Sequence, residues 1–76
     1  MNTHENMFTI AKLNALEACM PGTEDYMYCV YGAYTEQLGV SWDNNDWHMF
    51  EVNLNSGVRL EAICKLQYDK YDKETV

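Results

Sequence analysis

Between Trp47 and Tyr68 apolar and polar positions alternate. Phe50, Val52 and Leu54 are spaced by Glu51 and Asn53. Val58, Leu60, Ala62, Cys64 and Leu66 alternate with Arg59, Glu61, Lys65 and Gln67. A period of two over this length predicts half-buried strands. The turn sets the register. A loop of Ser56-Gly57 would oppose each apolar residue to a polar one. A loop of Asn55-Ser56-Gly57 instead pairs Leu54 with Val58, Val52 with Leu60, Phe50 with Ala62 and His48 with Cys64, all on one face. Gly57 then stands where such a loop needs a left-handed residue. The pattern predicts a long β-hairpin. Its second face is polar near the turn and apolar at Trp47, Met49 and Ile63.

Upstream, residues 3–20 lack Gly and Pro and read as a helix, capped by Asn2 or Thr3. It carries two apolar stripes. Phe8, Ala11, Ala15, Ala18 and Cys19 form one, with small residues that permit close approach. Ile10, Leu13, Leu16 and Met20 form the other. A surface helix normally has one such stripe, so the second suits a further partner. Pro21-Gly22 breaks the helix. The next segment has strand composition at Tyr26–Tyr31, but Thr23 with Glu24-Asp25 is a helix start and Gly39 a helix stop. Met27, Tyr31, Tyr34 and Leu38 recur at helical spacing, which favours a helix over 24–38. Gly39–Trp42 reads as a short strand and Asp43–Asp46 as a turn, setting Trp42 against Trp47 and Val40 against Met49. The expected fold is α+β: two N-terminal helices on a three-stranded antiparallel meander with strands at 39–42, 47–54 and 58–68. Residues 1–76 form one domain, with a charged, frayed tail at 69–76.

Charge sharpens this picture. The net charge is −7, and no Lys or Arg occurs between Lys12 and Arg59. Glu17, Glu24, Asp25, Glu36, Asp43, Asp46 and Glu51 fill that interval. Such a field repels nucleic acid and anionic membranes and attracts cationic surfaces. Aromatic residues are plentiful, but the basic groove of a nucleic-acid binder is missing. No window is apolar enough to span a bilayer. Residues 1–20 have no secretory pattern. A cytoplasmic protein with Cys19, Cys29 and Cys64 reduced is expected.

Candidate chemistry is sparse. Cys19, Cys29, His48 and Cys64 are ligand types for zinc but lack the close Cys spacing of a structural site, so no metal is expected. His48 opposite Cys64 suggests a thiol nucleophile and base. Both fall on the core face, where a thiol is inert. Glu51 opposite Glu61 is a like-charge pair on a solvated face. Asp43–Asp46 lacks the spacing of a calcium loop. No cofactor motif is present.

These readings converge on a small, non-enzymatic binding protein whose partner presents a basic surface. Glu24, Asp25, Glu36, Asp43, Asp46 and Glu51, with Trp42 and Trp47 as aromatic anchors, make up the expected contact surface. In its sharpest form the protein is an inhibitor or decoy of nucleic-acid-binding machinery, of the counter-defence type that phages and mobile elements carry. The alternatives are a homodimeric regulatory module joined through Ile10, Leu13, Leu16 and Met20, and a small thiol enzyme using Cys64 and His48.

Overall fold

An oxygen-bearing side chain opens each of the first three helices. In the computed structural model, which describes residues 3–39 and 43–72, the Thr3 hydroxyl accepts from the Asn6 amide at 3.2 Å and starts α1 (His4–Ala15). Thr23 accepts from the Tyr26 amide at 3.2 Å and starts α2 (Glu24–Leu38). Asp43 starts α3 (Asn44–Asn55), its Oδ1 accepting from the Asp46 amide at 2.7 Å. Each cap satisfies an amide that the first turn leaves without a helical partner. Acids at Glu5, Glu24, Asp25 and Asp46 lie in those first turns, at the positive ends of the helix dipoles. A short link then leads to α4 (Leu60–Asp72).

Glycines end the second and third helices. Gly39, at φ 75°, donates its amide to the Glu36 carbonyl at 3.1 Å. Gly57, at φ 86°, donates to the Leu54 carbonyl at 3.1 Å, and the Val58 amide donates to the Asn53 carbonyl at 3.0 Å. This pair of bonds is the Schellman closure of a helix.

The fold is therefore all-α, four helices with no strand among the described residues, and the expected α+β meander is overturned. The predicted strand at 47–54 lies within α3. The predicted strand at 58–68 covers the α3–α4 link and most of α4. Of the predicted strand at 39–42, Gly39 is the cap of α2, and 40–42 lie outside the described residues. The tail read as frayed from Asp69 is helical through Asp72, and 73–76 lie outside the described residues. The helix over 24–38 is α2. The helix over 3–20 ends at Ala15, followed by a turn at Leu16–Ala18.

Helix wins because the same residues carry a second period. Leu60, Ile63, Cys64, Gln67, Tyr68 and Tyr71 recur at intervals of three and four, and all are buried or half-buried in α4. Val52, Ala62 and Leu66, inward on the strand reading, are exposed. Ile63 and Gln67, outward on that reading, are buried. Composition points the same way, since Leu60-Glu61-Ala62 and Lys65-Leu66-Gln67 are helix formers and β-branched residues are few.

The core joins Met7, Ala11 and Ala15 of α1 to Val30, Tyr31 and Tyr34 of α2, Phe50 of α3, and Ile63 and Cys64 of α4. Ala11 and Ala15 let α1 lie close along α2. The Gln37 side-chain amide donates to the Met7 carbonyl at 2.8 Å and ties the same two helices. α3 is attached differently. Among the described residues its backbone approaches only α4, and rings connect it to α2. Tyr31 stacks on Phe50 with centroids 4.4 Å apart, and Tyr28 stacks on Trp47 at 5.6 Å.

The cap assignment yields a direct test. A Cβ at Gly57 meets nothing within 4 Å, so substitution there costs only backbone strain. Gly57→Ala is expected to lower stability by about 1–2 kcal/mol, and Gly57→Asn by less, with a helical circular dichroism spectrum in both. Urea denaturation measures this, and an alanine variant as stable as the parent refutes the cap.

Candidate functional site

Acidic residues occur on every described helix, but basic ones do not. Glu24 and Asp25 occupy the first turn of α2 and Glu36 its last. Asp43 caps α3, and Glu51 lies on its exposed side. All five are exposed. The basic side chains of the described chain, Lys12, Arg59, Lys65 and Lys70, belong to α1, the α3–α4 link and α4. The α2 and α3 surfaces thus carry acids and no Lys or Arg. Glu24 and Glu51 line one shallow groove of about 300 Å³ with Met27, Tyr28 and Leu54. Tyr28 donates its hydroxyl to Glu51 Oε2 at 3.0 Å. That bond to the carboxylate pushes the Tyr28 pKa above its ordinary value, with desolvation and the charges of Glu51 and Glu24 adding to it. Trp47 stacks beneath on Tyr28 and is half-buried. Trp42 lies outside the described residues.

Asp46 does not share this surface. It is 5% exposed. Gln67 Nε2 donates to its Oδ1 at 3.4 Å, Tyr71 donates to its Oδ2 at 3.5 Å, and Lys70 Nζ lies 3.5 Å from Oδ1. Its backbone carbonyl accepts from the Tyr31 hydroxyl at 3.4 Å, and Gln67 Nε2 donates to that same hydroxyl. Burial pushes the Tyr31 pKa up to about 12, against the opposing pull of the Gln67 hydrogen bond. Sequence reasoning missed this network because it put Gln67 on a solvated strand face. The helical spacing of Gln67 with Ile63, Cys64 and Tyr71 is the signal that marks it as interior.

The expected facing of His48 and Cys64 falls with the hairpin. His48 is exposed on α3, whereas Cys64 is fully buried on α4. Burial, with the charge of Glu61 adding, pushes the Cys64 thiol up to about 12. Glu51 and Glu61 likewise part: Glu61 Oε2 lies 3.8 Å from His4 Nε2, and His4 Nδ1 shares a 2.7 Å hydrogen bond with the Tyr34 hydroxyl. Cys19, in the turn after α1, and Cys29, in the body of α2, set their sulfurs side by side. Among the described residues no three His, Cys, Asp or Glu side chains group to hold a metal.

The outer face of α1 and its turn is apolar. Ile10, Leu13, Leu16 and Met20 are all exposed, Leu13 at 60% and Met20 at 74%. The two-sided character read from the sequence is a feature of the structure. Among the described residues, no helix is long and apolar enough to cross a membrane. No family model, curated protein or solved structure gives a match to the chain.

Burial holds Cys64 and Tyr31 neutral, which fixes a pH dependence. Each is an acid whose folded pKa exceeds its ordinary value, 9.0 for the thiol and 10.0 for the phenol. Stability is then full below pH 9 and falls as pH rises towards about 12, where both groups ionise in the folded state. Urea midpoints across this range should show the fall, and Cys64→Ala should flatten it. In the native protein Cys64 should react with a thiol reagent far more slowly than in urea. An equal rate would show an accessible thiolate and contradict its burial.

Proposed function

We propose that this is a small acidic, non-enzymatic binding protein whose α2–α3 surface engages the basic surface of a protein partner, as an inhibitor or decoy of a nucleic-acid-binding protein. The observation that carries the reading is the segregation of charge, with Glu24, Asp25, Glu36, Asp43 and Glu51 exposed on two helices that hold no Lys or Arg. Asp43 caps α3 and Glu24 and Asp25 meet the α2 dipole, but these exposed like charges also repel one another and steer a cationic partner over a range near the Debye length. Tyr28 and Trp47 beside Glu24 and Glu51 add the aromatic area that interface centres use. Asp46 acts from within, holding α3 in place. On this reading the encounter is cytoplasmic, where the Cys19–Cys29 pair would be kept reduced, and neither nucleic acid nor membrane is bound directly.

Affinity capture at low salt with identification by mass spectrometry tests the proposal. Basic nucleic-acid-binding proteins should be retained, released by moderate salt, and lost when Glu24→Gln, Asp25→Asn and Glu51→Gln are combined. Equal capture by the triple variant would sink the acidic-surface reading.

A second reading has its own support. Ile10, Leu13, Leu16 and Met20 expose an apolar strip on the helix whose surface charge is mixed, so two copies meeting there escape most of the acidic repulsion. A symmetric α1–α1 dimer would cover it. Sedimentation equilibrium should give a dimer mass that Leu13→Asp reduces to monomer with helicity unchanged. A monomer at high concentration excludes this dimer.

A further inference from the structure

α3 and α4 do not close completely on each other. Between them lies a cleft of about 170 Å³, walled on its apolar side by Met49, Ile63 and Leu66 and ending at Asp46 and Gln67. Met49 and Leu66 form its exposed rim. The polar end is well defined. Gln67 Nε2 is spent on the Tyr31 hydroxyl and Asp46 Oδ1. Turning the amide over would set its oxygen against the Asp46 carboxylate, which favours this orientation. Its Oε1 is left buried and accepts no hydrogen bond from any described residue. A buried acceptor without a donor is costly, and its cost is removed by whatever brings an N–H to it.

A cation already stands at the mouth. Lys70 Nζ is 3.5 Å from Asp46 Oδ1, at the end of a side chain that is half exposed. That separation is long for a charge-assisted bond, which closes to about 2.7–2.9 Å when well made. Lys70 therefore shows that the carboxylate takes a cation, and it holds the place loosely.

We infer that this cleft receives an arginine side chain of the basic partner, its aliphatic stem along Met49 and Leu66 and its guanidinium displacing Lys70 at Asp46 while donating to Gln67 Oε1. The inference rests on the reading that the partner surface is basic. Arginine fits better than lysine. Its planar fork of N–H donors serves two acceptors at once, whereas an ammonium only repeats what Lys70 supplies. The exchange conserves charge, because Lys70 is released to water as the guanidinium enters.

N-acetyl-arginine methylamide is the probe, and its neutral isostere N-acetyl-citrulline methylamide the control. Both are titrated into the isotopically labelled protein and followed by nuclear magnetic resonance. The arginine probe should shift the Gln67 side-chain amide and the Met49 and Leu66 signals, saturating in the millimolar range. Citrulline should bind about tenfold more weakly or worse, a factor that reports the Asp46 charge. Lys70→Ala should bind arginine several-fold more tightly. Met49→Ala with Leu66→Ala, at exposed positions that leave the fold intact, should bind several-fold more weakly. An arginine probe that gives no saturating shift up to about 20 mM, enough to fill a millimolar site, in both the parent and Lys70→Ala overturns the inference, and so does citrulline binding equal to arginine. Salt-sensitive capture of a partner would survive that result. Arginine binding as described, without capture of any basic partner, would uphold the cleft and overturn the acidic-surface reading alone.

Discussion

Tyr31 is the contact on which the arrangement of the helices depends. Its ring, from α2, lies on Phe50 of α3 with the planes only 13° apart. Its hydroxyl donates to the Asp46 carbonyl of α3 and accepts from Gln67 of α4. One side chain thus bridges three helices, with an apolar body packed and a polar tip satisfied, the condition for burying tyrosine without penalty. Truncating such a ring costs on the order of 3–5 kcal/mol. A small domain has about 5–15 kcal/mol in total, so this contact decides whether α3 is docked at all. The position of Asp46 follows from it, and so do the floor of the α3–α4 cleft and the stacking of Tyr28 on Trp47 that supports the acidic groove.

Around that centre the surface divides into unlike regions. α2 and α3 present acids, α1 presents an apolar strip, and α4 carries both signs. Charge of one sign on adjacent helices is self-repulsive, set against the local gains at the Asp43 cap and the first turn of α2 and against the aromatic packing beneath it. The domain thus presents acidic helices and an apolar strip, chemistries that suit different kinds of contact.

The first two helices were legible in the sequence. Thr23, Glu24-Asp25 and Gly39 bounded α2 because caps act locally, through side chains and amides three residues apart. The stripes of α1 were legible because Ile10, Leu13 and Leu16 have no counterpart in the core. The α3–α4 region was misread for a definite physical reason. Phe50, Val52 and Leu54 satisfy a period of two, and Phe50 with Leu54 also satisfies a helical one. Gly57 in a left-handed conformation closes a hairpin loop and a Schellman cap equally well. Asp43 with an acid at Asp46 is the deciding local signal, and the same residues are also turn formers. Gln67 was hidden by the same choice, since a polar residue on an apolar stripe is visible only once the stripe is recognised. The facing of Glu51 towards Tyr28 is a tertiary fact that no local pattern contains.

The way α3 is attached bears on how the molecule moves. Its backbone keeps away from α1 and α2 among the described residues, and its hold on α2 runs through rings and through the hydroxyls of Tyr28 and Tyr31, which donate to Glu51 and to the Asp46 carbonyl. Elements held by few buried contacts are the first to detach while the remainder stays folded. Among the described helices α3 makes the fewest backbone approaches, so it is the first expected to detach from the α1–α2–α4 base. Swinging out, it would carry Glu51 and Asp43 away from the acids of α2 and uncover Phe50 to water. In that state the spacing of the surface charges would change. The docked spacing lasts as long as Tyr31 keeps its ring against Phe50.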